Sequence, residues 1–537
     1  MLDNRNVWSN FEVFPKAVNS LKMGPRYWLM TILHTILLQT LCASIDQALL
    51  HNYTTGSLDG FIFEIADYFD GTAIFIEHRY YGESLPTVAT DQKMNFDYLR
   101  ISQVLGDVTD IITRIKSNDV RCPDAPVIVC GSSYSGALAV WMRIKYPTLI
   151  RGAIVSSAPL MYFYNDNLDM TNFRDKTAEI YLQNGCLNKT VIEAWRMIRQ
   201  KSKTAKGITE LKEAFKISDK SPMAVETDQQ YLISYIRTAL EQIALLNYPY
   251  AQDSPKVLAE WPVKAVCSTL NDESNDATIL SKMFQATKMY YNTDESCIKP
   301  DVCSETNEAK KYHSINWQKC TEWIVRECKA SNADNFIPNE CGDCEANSEM
   351  KAKCKEELKD TSYTDGLFEA DYIKMQHGIN FNTLTNVVFT NGKLDPWNTG
   401  AVTTGNVGTQ SWTRGVYVFE MTDAANQLDF RQPNSCDPPS VTDARQYIVT
   451  SIIPKMLANG AEAFEELKLS TAAAPNTTTC NYVFHQWQKS QSTQPPTSVT
   501  TTTSAGSGSA TTSEAAAHSV PLALSIAALV LISFLRQ

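Results

Sequence analysis

Ser133 is the residue with the clearest chemical setting. It lies in "VIVCGSSYSGALAVW", residues 127–141, within Gly131-Ser132-Ser133-Tyr134-Ser135-Gly136. An apolar strand pattern runs into it and a helical pattern follows. A serine lifted on such a strand–turn–helix corner is offered as a nucleophile, and the usual signature is G-x-S-x-G. Here Ser135 takes the place of the second glycine and Gly136 follows at once. Strand and helix pack tightly around the turn, so its residues must be small, and serine is small enough. The backbone N–H of Tyr134 would supply one oxyanion-hole donor. A serine hydroxyl needs a base, and the base needs an orienting acid. In α/β-hydrolases the chain order is Ser, Asp or Glu, then His. Asp395 in "NGKLDPW" follows a strand pattern, where that acid belongs. The alternative for Asp395 is a capping or turn residue before Pro396. Of the histidines, only His485 and His518 follow it; these two, with His377 and His78, read as surface or packing residues.

The elements that must position these residues are alternating strands and helices. "TAIFIEHRYYGESLP" (72–86) opens on a buried strand, and "MNFDYLRISQVLGDVTDIITRIK" carries apolar residues at helical spacing. "PVIVC" (126–130) and "GAIVSSAP" (152–159) are further strands, with a helix from Gly136 to Tyr146 between them. Such alternation predicts an α/β fold, a parallel sheet covered by helices. From 166 to 371 the texture becomes helical, charge-rich and cysteine-rich, which predicts an insertion between core segments 45–165 and 372–487. The sheet pattern resumes at "TNVVFTNGKLDPW" and "GVYVFEM", and "SVTDARQYIVTSIIPKML" closes it as a helix.

Taken together, "EHRYYGESLP", "GSSYSGALAVWMRIKYP", "GAIVSSAPL", "WQKCTEW", "VVFTNGKLDPW" and "LDFR…DPPSVTDAR" resemble the prolyl carboxypeptidase and dipeptidyl peptidase II family, which includes thymus-specific serine protease. The words run in family order from about residue 60 to 460. The resemblance implies an α/β-hydrolase core and a helical insertion that caps the active site. It implies cleavage of peptides next to proline, with Ser133 as nucleophile and Asp395 as acid. Two departures stand beside it. The family's histidine lies in a Gly-Ala-His-His-Leu-Asp-Leu-Arg word, and here the word is Ala424-Ala425-Asn426-Gln427-Leu428-Asp429-Phe430-Arg431. Asn426 therefore occupies the histidine's position, and an amide has no basic nitrogen with which to take the serine proton. Two readings follow: a serine exopeptidase with an impaired triad, or a non-catalytic surface homologue that binds peptides or proteins in the inherited cleft. The second departure is that the family's first strands and its Gly-x-Glu-Gly-type loop have no counterpart. Either the protein has lost them or the sequence misses an exon.

The 537 residues, 44% hydrophobic and 20% charged, suffice for a large globular core. A net charge of -11 without basic runs argues against nucleic acid as a partner. No cofactor is called for. The single C-x-x-C, Cys341 to Cys344, lacks the companion ligands of a metal site, so the cysteines read as disulfides of an oxidising compartment; thirteen of the 14 remain when Cys42 leaves with the leader, and Cys130 is the one left unpaired. Sequons at Asn52, Asn188 and Asn476 agree. Residues 1–44 read as a leader whose apolar run, 27–44, predicts cleavage after Ser44. Residues 488–518 are a Ser/Thr-rich stalk and 519–537 a hydrophobic tail. That pattern predicts a lipid anchor near Ser507 ahead of a single membrane span, with the folded part outside the cell or in a lumen. A lysosomal or secreted form is the alternative. The oligomeric state stays open, a dimer included.

Overall fold

Six strands make one sheet in the order β2-β1-β3-β4-β5-β6. The computed structural model describes residues 37–40 and then 60–483 with short breaks, the longest of them 339–347. The strands are β1 Leu37–Thr40, β2 Thr72–Phe75, β3 Val127–Ser132, β4 Ile150–Ser156, β5 Val387–Gly392 and β6 Val416–Met421. β3 to β6 run parallel. β3 and β5 are buried along their whole length, which is why they read as unbroken apolar runs rather than alternating ones.

Successive strand residues point to opposite faces. Val127, Val129, Ala153, Val155, Val387 and Phe389 join one core with α2 (Ile101–Asn118) and α3 (Ser133–Lys145). Ile128, Cys130, Ile154 and Val388 join the other, which includes α1 (Gly60–Tyr68). That second core continues without a break into the helices between β4 and β5. Those that join it are α4 Met170–Gln183, α5 Asn188–Ser202, α6 Ala205–Phe215, α7 Gln229–Leu245, α8 Pro262–Asn271 and α9 Ile279–Tyr291, whereas α10 Thr306–Thr321 and α11 Ser348–Glu357 join the first core through Trp317, Cys320 and Cys354. Residues 166–371 are thus mainly helical as expected, yet most of them share an apolar core with one face of the sheet.

Three local outcomes differ from the sequence reading. The helix expected from Gly136 begins at Ser133 itself, with no loop after β3. β2 is in the expected place but is a half-buried edge strand rather than a buried one. The closing helix is not continuous: α12 (Pro439–Tyr447) widens into a π turn over Ile448–Ile452 before a last turn at Ile453–Leu457. Pro454 has no N–H to give and its ring crowds the preceding turn, so a widened turn relieves both.

Leu37–Thr40 comes from the run read as a leader. It sits between β2 and β3, antiparallel to both. Cleavage after Ser44 and this strand are mutually exclusive uses of the same residues. At the other edge, β6 is followed in space by an extended strap. The Tyr417 hydroxyl donates to Glu465 O at 2.7 Å, Ser470 N–H to Asp443 Oδ2 at 2.7 Å, and Ala474 N–H to Asp423 Oδ2 at 3.0 Å.

Three disulfides join described residues: Cys186–Cys267, Cys320–Cys354 and Cys436–Cys480. Cys130 is free and buried, as expected. The Cys341 to Cys344 motif, Asn52, Ser507, the stalk and the tail lie outside the described residues. Asn188 and Asn476 are exposed. No described helix is long and apolar enough to cross a membrane.

Candidate active site

The turn at Ser133 is held by steric exclusion and one hydroxyl. Ser133 has φ +51°, a left-handed conformation that side-chain-bearing residues rarely adopt. A Cβ on Gly131 would lie 2.2 Å from Ser135 O, and one on Gly136 would lie 2.9 Å from Ala158 Cβ. Only glycine fits at either place. Ser135 needs no such exemption, and its hydroxyl is used. It donates to Ser132 O at 2.8 Å and accepts from Ser132 N–H at 3.0 Å, closing the first turn of α3. The departure from the usual glycine is thereby a cap rather than a tolerated misfit. Ser133 makes no side-chain hydrogen bond among the described residues.

Tyr134 lies in the first turn of α3, where backbone N–H groups lack helical acceptors and carry the positive end of the helix dipole. Its side chain is buried. The phenol oxygen accepts from Gln318 Nε2 at 2.8 Å and lies 3.2 Å from His78 Nε2. Its ring meets the edge of Trp323 at 4.9 Å. The "WQKCTEW" word therefore acts as a brace for the turn.

Asp395 follows β5 at the head of a short helical turn, Pro396–Gly400. It is 1% exposed. It caps that turn and also faces Asn426. Oδ1 accepts from Trp397 N–H at 2.9 Å, as a cap should, and Oδ2 accepts from Asn426 Nδ2 at 3.0 Å. Burial pushes the carboxyl up to about 6, against the pull of hydrogen bonds from Asn426, Trp397 and Ser157, while buried Asp429 adds to the rise. Asp429 bridges the ends of β4 and β5, accepting from Ser156 Oγ and Thr390 Oγ1, each at 2.6 Å.

Asn426 is gripped by its backbone as well as its side chain. Its N–H donates to Leu245 O at 3.2 Å and its O accepts from the Tyr248 hydroxyl at 2.8 Å. Both partners come from the helical segment. Gln427, at φ +58°, spans to the serine turn: Ser132 Oγ donates to its Oε1 at 2.9 Å, and its N–H donates to Ser157 Oγ at 2.9 Å. Buried Arg445 of α12 holds the rest of the loop through Leu428 O and Asp429 O, both at 2.8 Å, while pairing with Asp437 at 2.6 Å. The turn, the acid and the 424–431 loop are thus brought together at the carboxyl ends of β3, β4 and β5.

Two described histidines, His78 and His377, pack around the serine-bearing helix. His78 packs beneath the turn, with Nδ1 2.7 Å from Arg79 O. His377 stacks on Trp141 of α3. His485 and His518 lie outside the described residues. Among the described residues no cluster of His, Cys, Asp or Glu could hold a metal. The assembled groups can orient a serine, offer an N–H to an oxyanion and hold an amide against a carboxylate. They offer no proton acceptor of imidazole type. Sequence reasoning missed Ser132, Ser157, Gln427, Tyr248 and Arg445. The serines and Arg445 sat inside quoted words, but only their non-local partners give them a role.

The serine carboxypeptidase S28 family model matches residues 51–448. A putative serine protease, pcp-1, of Caenorhabditis elegans is 30% identical over 420 residues, 74% of this chain and 73% of the relative. The lysosomal Pro-X carboxypeptidase of Homo sapiens is 31% identical over 401 residues, 72% of this chain and 75% of the relative. The thymus-specific serine protease of Mus musculus is 38% identical over 87 residues, 16% of this chain and 17% of the relative.

Proposed function

Because the chain belongs to the serine carboxypeptidase S28 family, whose fold is α/β-hydrolase-like and whose chemistry is that of serine peptidases, we propose that it is a peptide-binding member whose turnover is severely impaired. Ser133 is the proposed nucleophile, Tyr134 N–H the proposed oxyanion donor and Asp395 the proposed acid. The observation that carries the reading is the 3.0 Å hydrogen bond from Asn426 Nδ2 to Asp395 Oδ2. It supports reading Asn426 as an amide in the position of the family's base. Asn426 Nδ2 meets the acid as an imidazole N–H would, but the side chain has no second nitrogen to take the Ser133 proton. Removal of the histidine in a serine protease costs on the order of 10⁶-fold in turnover.

The ligand class follows from the relatives. One is named a Pro-X carboxypeptidase, so a peptide with proline next to the terminal residue is the first ligand to test. The helices of 166–371 are read as a cap over the site, supported by the grip of Leu245 and Tyr248 on Asn426. Disulfides and a lysosomal relative support a secretory-pathway or lysosomal location. Glycans on exposed Asn188 and Asn476, and tethering through the 488–518 stalk and a lipid at Ser507, are the corresponding surface features.

The test compares the wild-type protein with Ser133→Ala and Asn426→His, using a fluorophosphonate probe and a proline-containing peptide. The expected result is negligible wild-type hydrolysis, a rise of several orders of magnitude in Asn426→His, and loss of that gain when Ser133→Ala is added. Robust wild-type turnover that disappears in Ser133→Ala would overturn the reading in favour of an active exopeptidase with a base from elsewhere.

A further inference from the structure

We propose that His377 is an acid-sensitive latch that holds the segment returning from the helical region to β5 against the back of the serine-bearing helix α3. His377 is 2% exposed, and neither ring nitrogen has a hydrogen-bond partner. Its ring lies 4.7 Å from that of Trp141 on α3, tilted by 31°, and 5.7 Å from Tyr372 in its own segment. The imidazole is therefore packed as an apolar plate.

The start of the segment 372–377 is anchored by buried Ile373 and by Tyr372, which meets Ser102 and Glu322 and has Arg100 6.0 Å above its ring, and its end is held by fewer ties. Lys145 Nζ donates to Gln376 O at 2.9 Å, the Tyr164 hydroxyl donates to His377 O at 2.5 Å, and Lys374 Nζ meets Asp166 Oδ2 at 3.0 Å. Tyr164 also accepts from Trp141 Nε1 at 3.0 Å. The ionisable groups around the ring are thus Lys145 from α3, Tyr164 from the turn at 161–164, and Tyr372 within the segment. Lys145 repels an imidazolium and neither phenol attracts one. Of the carboxylates on this side, Asp166 is already shared by Lys374 and Arg326, and Glu322, which meets Tyr372, is paired with Arg100.

A neutral ring is tolerated in such a slot; a charged one, without a partner, is not. Proton uptake from water therefore favours the state in which the segment has swung clear and the ring is solvated. Burial, with a contribution from Lys145, lowers the ring from 6.5 to about 4, so acidification from pH 7 to pH 5 raises the open population about twentyfold. The latch works whether or not Ser133 is catalytic. It acts on the junction between the helical segment and the strand that leads to Asp395.

Hydrogen exchange at pH 7 and pH 5, corrected for intrinsic rates, tests it on the whole protein. Residues 372–386 of the wild type should lose protection about twentyfold at pH 5, while α5 is unchanged. In His377→Gln and His377→Leu the protection of 372–386 should not depend on pH. A wild type without the change, or the same change in both variants, overturns the proposal. So does an NMR titration of the wild-type ring with a midpoint near its unperturbed value, a measurement that does not require either variant to fold.

Discussion

Asp395 is both a cap and a hydrogen-bond partner of Asn426, and it bears a cost for being buried. Its carboxyl titrates near 6 in the folded chain against an ordinary value of 3.8. Between those values the unfolded chain gives up a proton that the folded chain keeps. Stability therefore falls as pH rises through that window and levels off above it. Asp395→Asn should be more stable than wild type at pH 7.5 by on the order of 1–3 kcal/mol, with the gap closing by pH 4. Urea titrations at the two pH values measure this, and a variant less stable at both would show that the hydrogen bonds outweigh the burial. The buried carboxyl is what a peptidase needs to orient a histidine. In this chain it accepts a hydrogen bond from an amide, Asn426 Nδ2.

At the level of elements, β3 to β6 and the serine turn were legible because their determinants are local: continuous apolar runs and small residues at fixed offsets. Gly131 shows how strict that determinant is. A Cβ there meets backbone, Ser135 O at 2.2 Å, which cannot move aside without unwinding the start of α3. Gly131→Ala should destabilise the fold by more than about 2 kcal/mol and abolish probe labelling of Asn426→His protein. Gly106, exposed in the middle of α2 with nothing near its missing Cβ, is the control. Gly106→Ala should stabilise by roughly 0.5–1 kcal/mol, measured in the same denaturation series. What the sequence did not disclose depends on distant partners. Nothing in "LLQT" indicates a strand slot between β2 and β3. Nothing in "VSSAP" indicates that Ser157 meets both Gln427 and Asp395. Asn426 itself was legible only because the family word around it survived; its hydrogen bond to Asp395 was not.

Across the whole molecule, the helical segment packs into the cores on both faces of the sheet, and the chain's last described stretch is sewn to the loop that carries Asn426. Ser435 N–H donates to Asn481 O at 2.8 Å, Val483 N–H to Pro433 O at 2.9 Å, and Cys436–Cys480 crosslinks the same two segments. The crosslink closes a loop with a sequence separation of 44 that contains α12, the π turn and the strap along β6. Replacing both cysteines by alanine should cost about 2–4 kcal/mol, read as a lower denaturation midpoint with the slope little changed. The arrangement also fixes a route for force. A pull applied to the chain beyond Val483 first loads the hydrogen bonds of Val483 and Asn481 to Pro433 and Ser435, and then crosses the sulfur bridge from Cys480 into Cys436. The tension bypasses everything from 437 to 479, so the strap and α12 are slack members. The first part of the protein to feel the load is the short run of backbone that leads back to residue 426.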